Sequence, residues 1–133
     1  MKIEGGCHCG DIAYQAEVDP STVSICHCTD CQTLTGSVYR ANIPAPVQTF
    51  LLLRGQPKIY IKTADSGARR AHAFCGNCAT PIYAAAIENP ATYSLRVGTI
   101  KQRHQFSPKR QIWCRSALPW SMDLTHLEKR DRQ

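Results

Sequence analysis

Seven cysteines gathered into three short clusters restrict this chain more than anything else in its 133 residues. They stand in Gly6-Cys7-His8-Cys9-Gly10, in Cys26-His27-Cys28-Thr29-Asp30-Cys31 and in Phe74-Cys75-Gly76-Asn77-Cys78. Eight cysteines are about 6% of the residues, above ordinary usage and below the density of a secreted disulfide scaffold. The opening Met1-Lys2-Ile3-Glu4-Gly5-Gly6 has no apolar run of the secretory kind, so the chain reads as cytoplasmic, with its thiols reduced. Cysteines two apart are also poorly placed to bridge each other. Metal is the better reading, and the expectation is two zinc ions.

The first and third clusters make one site. On an extended backbone Cys7 and Cys9 aim to the same side, and the flanking glycines allow tight turns around an ion. Cys75 and Cys78 form a C-x-x-C knuckle over a turn-forming Gly-Asn centre. Four thiolates suit a closed, structural zinc, cross-linking segments 66 residues apart. A redox dithiol would want a thioredoxin-like α/β context that this pattern lacks.

The middle cluster falls one ligand short. Cys26, Cys28 and Cys31 offer three thiolates, and a fourth position left open is the arrangement of catalytic zinc. Three thiolates weaken the ion as a Lewis acid but suit it to holding a soft thiolate from a substrate, ready to attack an electrophilic carbon. The site closes instead if Cys114, His27 or another side chain supplies the fourth ligand. His8 and His27, each between two ligands, read as supporting side chains, and His72, His104 and His126 as surface residues. Cys114 in Ile112-Trp113-Cys114-Arg115 reads as a buried thiol on a strand.

The rest of the pattern is mainly β. Ile12, Tyr14, Ala16 and Val18 alternate with polar or small residues, putting one side of a strand inward before Asp19-Pro20. Further strands are expected at Thr22 to Cys26, Ser37 to Ile43, Phe50 to Leu53, Lys58 to Thr63, Arg69 to Phe74, Pro81 to Ala85, Tyr93 to Thr99 and Gln111 to Arg115. Pro44-Ala45-Pro46, Arg54-Gly55-Gln56-Pro57, Asp65-Ser66-Gly67 and Glu88-Asn89-Pro90 read as turns. Residues 1–133 are expected to form one domain, and in the tail at about 119–133 Trp120, Leu124 and Leu127 can line one side of a short helix. The longest apolar stretches fall far short of a membrane span. A net charge of +6 and a pI near 9.0 favour anionic partners. The basic groups are scattered without interleaved aromatics, which argues against single-stranded nucleic acid.

These three clusters, with Thr35-Gly36-Ser37 after the second and Ala79-Thr80-Pro81-Ile82-Tyr83 after the third, resemble the glutathione-dependent formaldehyde-activating enzyme family, which includes centromere protein V relatives. The likeness runs from Gly6 to about Pro119-Trp120. It implies a β-tent fold of short antiparallel strands, a structural zinc on Cys7, Cys9, Cys75 and Cys78, and a catalytic zinc on Cys26, Cys28 and Cys31. It also implies a carbon-sulfur lyase that adds glutathione or a similar thiol to formaldehyde or another small aldehyde, giving an S-hydroxymethyl adduct. Arg40, on the strand after Gly36-Ser37, is the candidate contact for a substrate carboxylate. Two positions depart from the family pattern: Ala79 where glycine is common, and Gln32 where a basic residue is frequent. The alternative is a non-catalytic zinc module that binds nucleic acid or a protein through a basic face.

Overall fold

In the computed structural model, which describes residues 1–133, the chain forms ten strands and one short helix. Strand β1 (Lys2–Gly6) pairs antiparallel with β2 (Ala13–Glu17). Next come β3 (Ser24–Cys26), helix α1 (Thr29–Thr35), β4 (Arg40–Pro46) and β5 (Leu51–Arg54). The remaining strands are β6 (Lys58–Thr63), β7 (Arg69–Phe74), β8 (Pro81–Ala86), β9 (Thr92–Arg96) and β10 (Arg110–Ile112). A three-stranded sheet in the order β1-β2-β5 faces a seven-stranded sheet in the order β10-β3-β4-β9-β8-β7-β6.

The core lies between these sheets and draws on both. Ile3, Ile12, Tyr14 and Ala16 pack in one cluster with Ile43, Ala45, Ile82 and Leu95. The alternation from Ile12 to Val18 is what the structure buries: all four inward residues are 5% exposed or less. Burying such side chains is worth about 1.5–3 kcal/mol each for the larger ones, so this one segment contributes several kcal/mol to the drive to fold. Tyr14 also stacks on Phe50, which meets Tyr83 and Tyr93 edge-on, and its hydroxyl pairs with Thr99 at 2.8 Å.

The mainly β reading holds, with four corrections. First, Pro44-Ala45-Pro46 is strand rather than turn. β3 pairs with β4 only at Arg40, Ala41 and Asn42, so the prolines, which lack a donor, lie past the end of that neighbour and pair on the β9 side alone. Second, the ladder is not wholly antiparallel, because β10 joins β3 in parallel. Third, the segment from Thr29 to Thr35 is helical. Cys28 caps it through its sulfur, which accepts from the Cys31 N–H at 3.3 Å, and Gly36 ends it in a left-handed conformation with φ of 62°. Fourth, the tail makes a single 3₁₀ turn at Pro119–Met122, and Trp120, Leu124 and Leu127 are exposed. No helix is long and apolar enough to cross a membrane.

Candidate metal centres and the adjoining cavity

Cys7, Cys9, Cys75 and Cys78 converge, with their sulfur atoms all within 4.8 Å of one another. The local chain explains why. After β1, the Cys7 N–H donates to the Ile12 carbonyl and the Gly10 N–H to the Cys7 carbonyl, closing a turn that presents Cys7 and Cys9. Between β7 and β8, the Ala79 N–H donates to the Cys75 carbonyl and the Cys75 N–H to the Thr80 carbonyl, closing the knuckle. Thr80 then joins the halves: its hydroxyl accepts from the His8 N–H at 3.1 Å and lies 3.1 Å from the Cys78 sulfur. That hydroxyl, followed by the N–H groups of Cys9 and Thr80, pulls the Cys78 thiol down to about 5. A ligand already ionised near neutral pH is what a cation requires. Four converging thiols with a thiolate among them fit a tetrahedral soft-metal site.

Cys26, Cys28 and Cys31 form the second group, again with all sulfurs within 4.8 Å. Cys26 closes β3, Cys28 caps α1 and Cys31 lies in its first turn. No fourth His, Cys, Asp or Glu atom joins them. Neither residue expected as an alternative fourth ligand joins them. His27 is 1% exposed, its Nε2 pairs with Gln111 at 2.8 Å and its ring meets Tyr39 edge-on. Cys114 is exposed and starts a 3₁₀ turn after Trp113, which is left-handed at φ 55°. The expected buried thiol on a strand is therefore corrected, because β10 stops at Ile112. Burial, then hydrogen bonding to Cys28, pushes the Cys31 thiol up to about 12. A metal bound there has to displace that proton.

Gln32 does not reach toward the cysteines. Its amide donates to the His27 carbonyl at 2.8 Å and the Ser116 carbonyl at 3.0 Å, fastening α1 to the chain beyond β10. Ala79 sits at φ 64°, a conformation that favours glycine.

Beside the three-thiol group the sheet carries a charged face. Ladder partners project to the same side. Cys26 pairs with Arg40, Asn42 with Arg96, Ala84 with both Ser94 and His72, and Tyr60 with His72. Arg40, Arg96, His72 and Tyr60 thereby share one face with Cys26, and all four line a cavity of about 330 Å³ that Leu34 of α1 also lines. His72 is thus no surface residue. It is half-buried, and its Nδ1 lies 3.3 Å from the Arg96 guanidinium. Burial, then the charges of Arg96 and Arg40, pulls its ring down to about 4. Sequence reading picked out Arg40 but missed Arg96 and His72. The available signal was the polar alternation of Ser94 and Arg96 against Leu95 on a strand that turned out to be covered on both faces.

The profile of a family described as "Glutathione-dependent formaldehyde-activating enzyme" matches residues 2–116. No curated protein matches the chain. Among solved structures, the crystal structure of a Rhodobacter sphaeroides protein that was a structural-genomics target superposes with a TM-score of 0.62 at 18% identity. The match covers 81% of this chain and 98% of that one, and it shows a shared fold.

Proposed function

Because the chain belongs to the glutathione-dependent formaldehyde-activating enzyme family, we propose that it adds a glutathione-like thiol to formaldehyde or another small aldehyde, giving an S-hydroxymethyl adduct in a carbon-sulfur lyase type of reaction. Cys7, Cys9, Cys75 and Cys78 would hold a structural zinc, and Cys26, Cys28 and Cys31 a second zinc at the reaction centre. The observation that carries this reading is the ligand count of the second group. Three thiols converge, neither His27, which pairs with Gln111, nor the exposed Cys114 joins them, and the fourth position is left for a reactant.

Zinc at that position would keep an incoming thiol in its thiolate form at neutral pH. The chain's own residues supply the rest. In the addition a sulfur–carbon bond forms, the carbonyl π bond breaks, and the proton that left the thiol ends on the new hydroxyl, so no oxidant or reductant is required. The cationic pair Arg40 and Arg96 beside Cys26 favours anionic reactants and steadies negative charge as it moves from sulfur to oxygen. The Asp30–Lys62 contact at 2.6 Å ties α1, which carries Cys31, to β6 on the far side of the cavity.

Exchange NMR of glutathione with formaldehyde, run with and without protein, tests the reading. Acceleration above the uncatalysed rate, lost in Cys28→Ser, is the expected result. Exchange at the background rate with a zinc-loaded protein would overturn it.

A further inference from the structure

Arg40 and Arg96 are 5% and 6% exposed, yet neither takes part in an ion pair with a carboxylate. The Nε–H of each is buried without a hydrogen-bond acceptor. A buried charge with an unsatisfied donor is costly, and two such donors side by side ask for an anion with more than one acceptor atom. The cysteines supply part of the balance, since Cys26 lies across the ladder from Arg40. They do not complete it. Three thiolates around a divalent cation leave one net negative charge, against two positive charges on the guanidiniums.

We infer that Arg40 and Arg96, with His72 orienting Arg96, form a carboxylate subsite, and that one of the two reactants meeting at Cys26, Cys28 and Cys31 carries the carboxylate that fills it. The inference rests on the reaction proposed above. Its geometry is built rather than incidental. Arg96 is fixed from two sides: one guanidinium nitrogen donates to Asn42 Oδ1 at 2.5 Å and the other lies 3.3 Å from His72 Nδ1. His72, neutral at physiological pH, accepts that bond instead of adding a third cation. The cavity of about 330 Å³ has room for a carboxylate and a few attached atoms, and Leu34, Phe74 and Pro81 give it apolar walls that strengthen the electrostatic contact. Arg40 lies directly across the ladder from Cys26, so a carboxylate bound to it sits on the same face as the three-thiol group.

The carboxylate can belong to the thiol or to the aldehyde, and the test separates the two. Zinc-loaded protein is followed by ¹⁵N NMR at the arginine Nε–H signals. S-methylglutathione presents the thiol's carboxylates with no ionisable sulfur, and glyoxylate presents a carboxylate on an aldehyde, with glycolaldehyde as its neutral control. Saturable shifts of the Arg40 and Arg96 signals with S-methylglutathione assign the subsite to the thiol. Shifts with glyoxylate and none with glycolaldehyde assign it to the aldehyde. Arg96→Gln, retaining two zinc ions and its circular dichroism, is expected to weaken the successful probe about tenfold or more. The absence of shifts with either carboxylate would overturn the inference and leave the arginines as counter-charges to the cysteines. Should the variant fail to fold, the wild-type spectra still decide. The probes undergo no thiol addition here, so a null result in the exchange experiment and a null result in this one are distinct.

Discussion

The sulfur atoms of Cys9 and Cys75 lie 3.7 Å apart although 66 residues separate them in sequence. That closeness joins the turn after β1 to the turn between β7 and β8, and so one sheet to the other. A metal ion at this point would cross-link the fold, whereas Cys26, Cys28 and Cys31 all lie within six residues and would cross-link little. Cys75→Ser is therefore expected to lose cooperative folding, and Cys26→Ser to keep it while zinc falls from two ions per chain to one. Metal analysis with thermal unfolding checks both. One zinc per chain in the unmodified protein, unchanged in Cys26→Ser, would refute the two-site reading.

Gly5 stands opposite Tyr14 in the β1–β2 ladder, and a Cβ added there would land on the Tyr14 ring. Tyr14 is fully buried and held at its hydroxyl by Thr99, so it cannot swing aside. Gly5→Ala should cost about 1–3 kcal/mol by overpacking. Tyr14→Phe, which removes only the hydroxyl contact, should cost about 1 kcal/mol. Urea denaturation of the two variants gives the comparison, and a Gly5→Ala protein as stable as the original would contradict this packing.

How much of this was legible before the structure depends on the range of the signal. The alternation at Ile12 to Val18 and the cysteine spacings act locally, and the structure realises both. Pro44 and Pro46 were misread because a proline's place in a sheet depends on which neighbour extends beside it, and β3 stops short. Helix α1 escaped because its cap is a cysteine sulfur and it buries no residue, leaving no apolar period to detect. Arg96 and His72 stand 24 residues apart and meet only through the register of β7, β8 and β9, which no local pattern encodes.

Ala79 carries a positive φ within the knuckle that presents Cys75 and Cys78. An alanine there pays the left-handed penalty of roughly 1–2 kcal/mol, part of which glycine returns as extra freedom in the unfolded chain. Ala79→Gly should stabilise the zinc-loaded protein by about 0.5–1 kcal/mol with no change in metal content. A lower unfolding midpoint would show that the methyl group packs better than the backbone strain costs.

His72 sets a pH dependence whose sign follows from its burial. The ring titrates near 4 in the fold against an ordinary value of 6.5, because burial and then Arg96 and Arg40 oppose its charge. Above pH 6.5 neither state binds the proton and the residue adds no slope. As pH falls from 6.5 toward 4 the unfolded chain takes up a proton that the native fold resists, so stability declines; below 4 both states carry it and the slope ends. The steepest possible loss is about 1.4 kcal/mol per pH unit, and a half-buried ring will show less. His72→Gln, which keeps an acceptor for Arg96 without the titration, should flatten the stability profile between pH 6.5 and 4 relative to the original, while the two coincide in shape above that window. Parallel profiles across that window would place the ring in solvent and free of the two arginines.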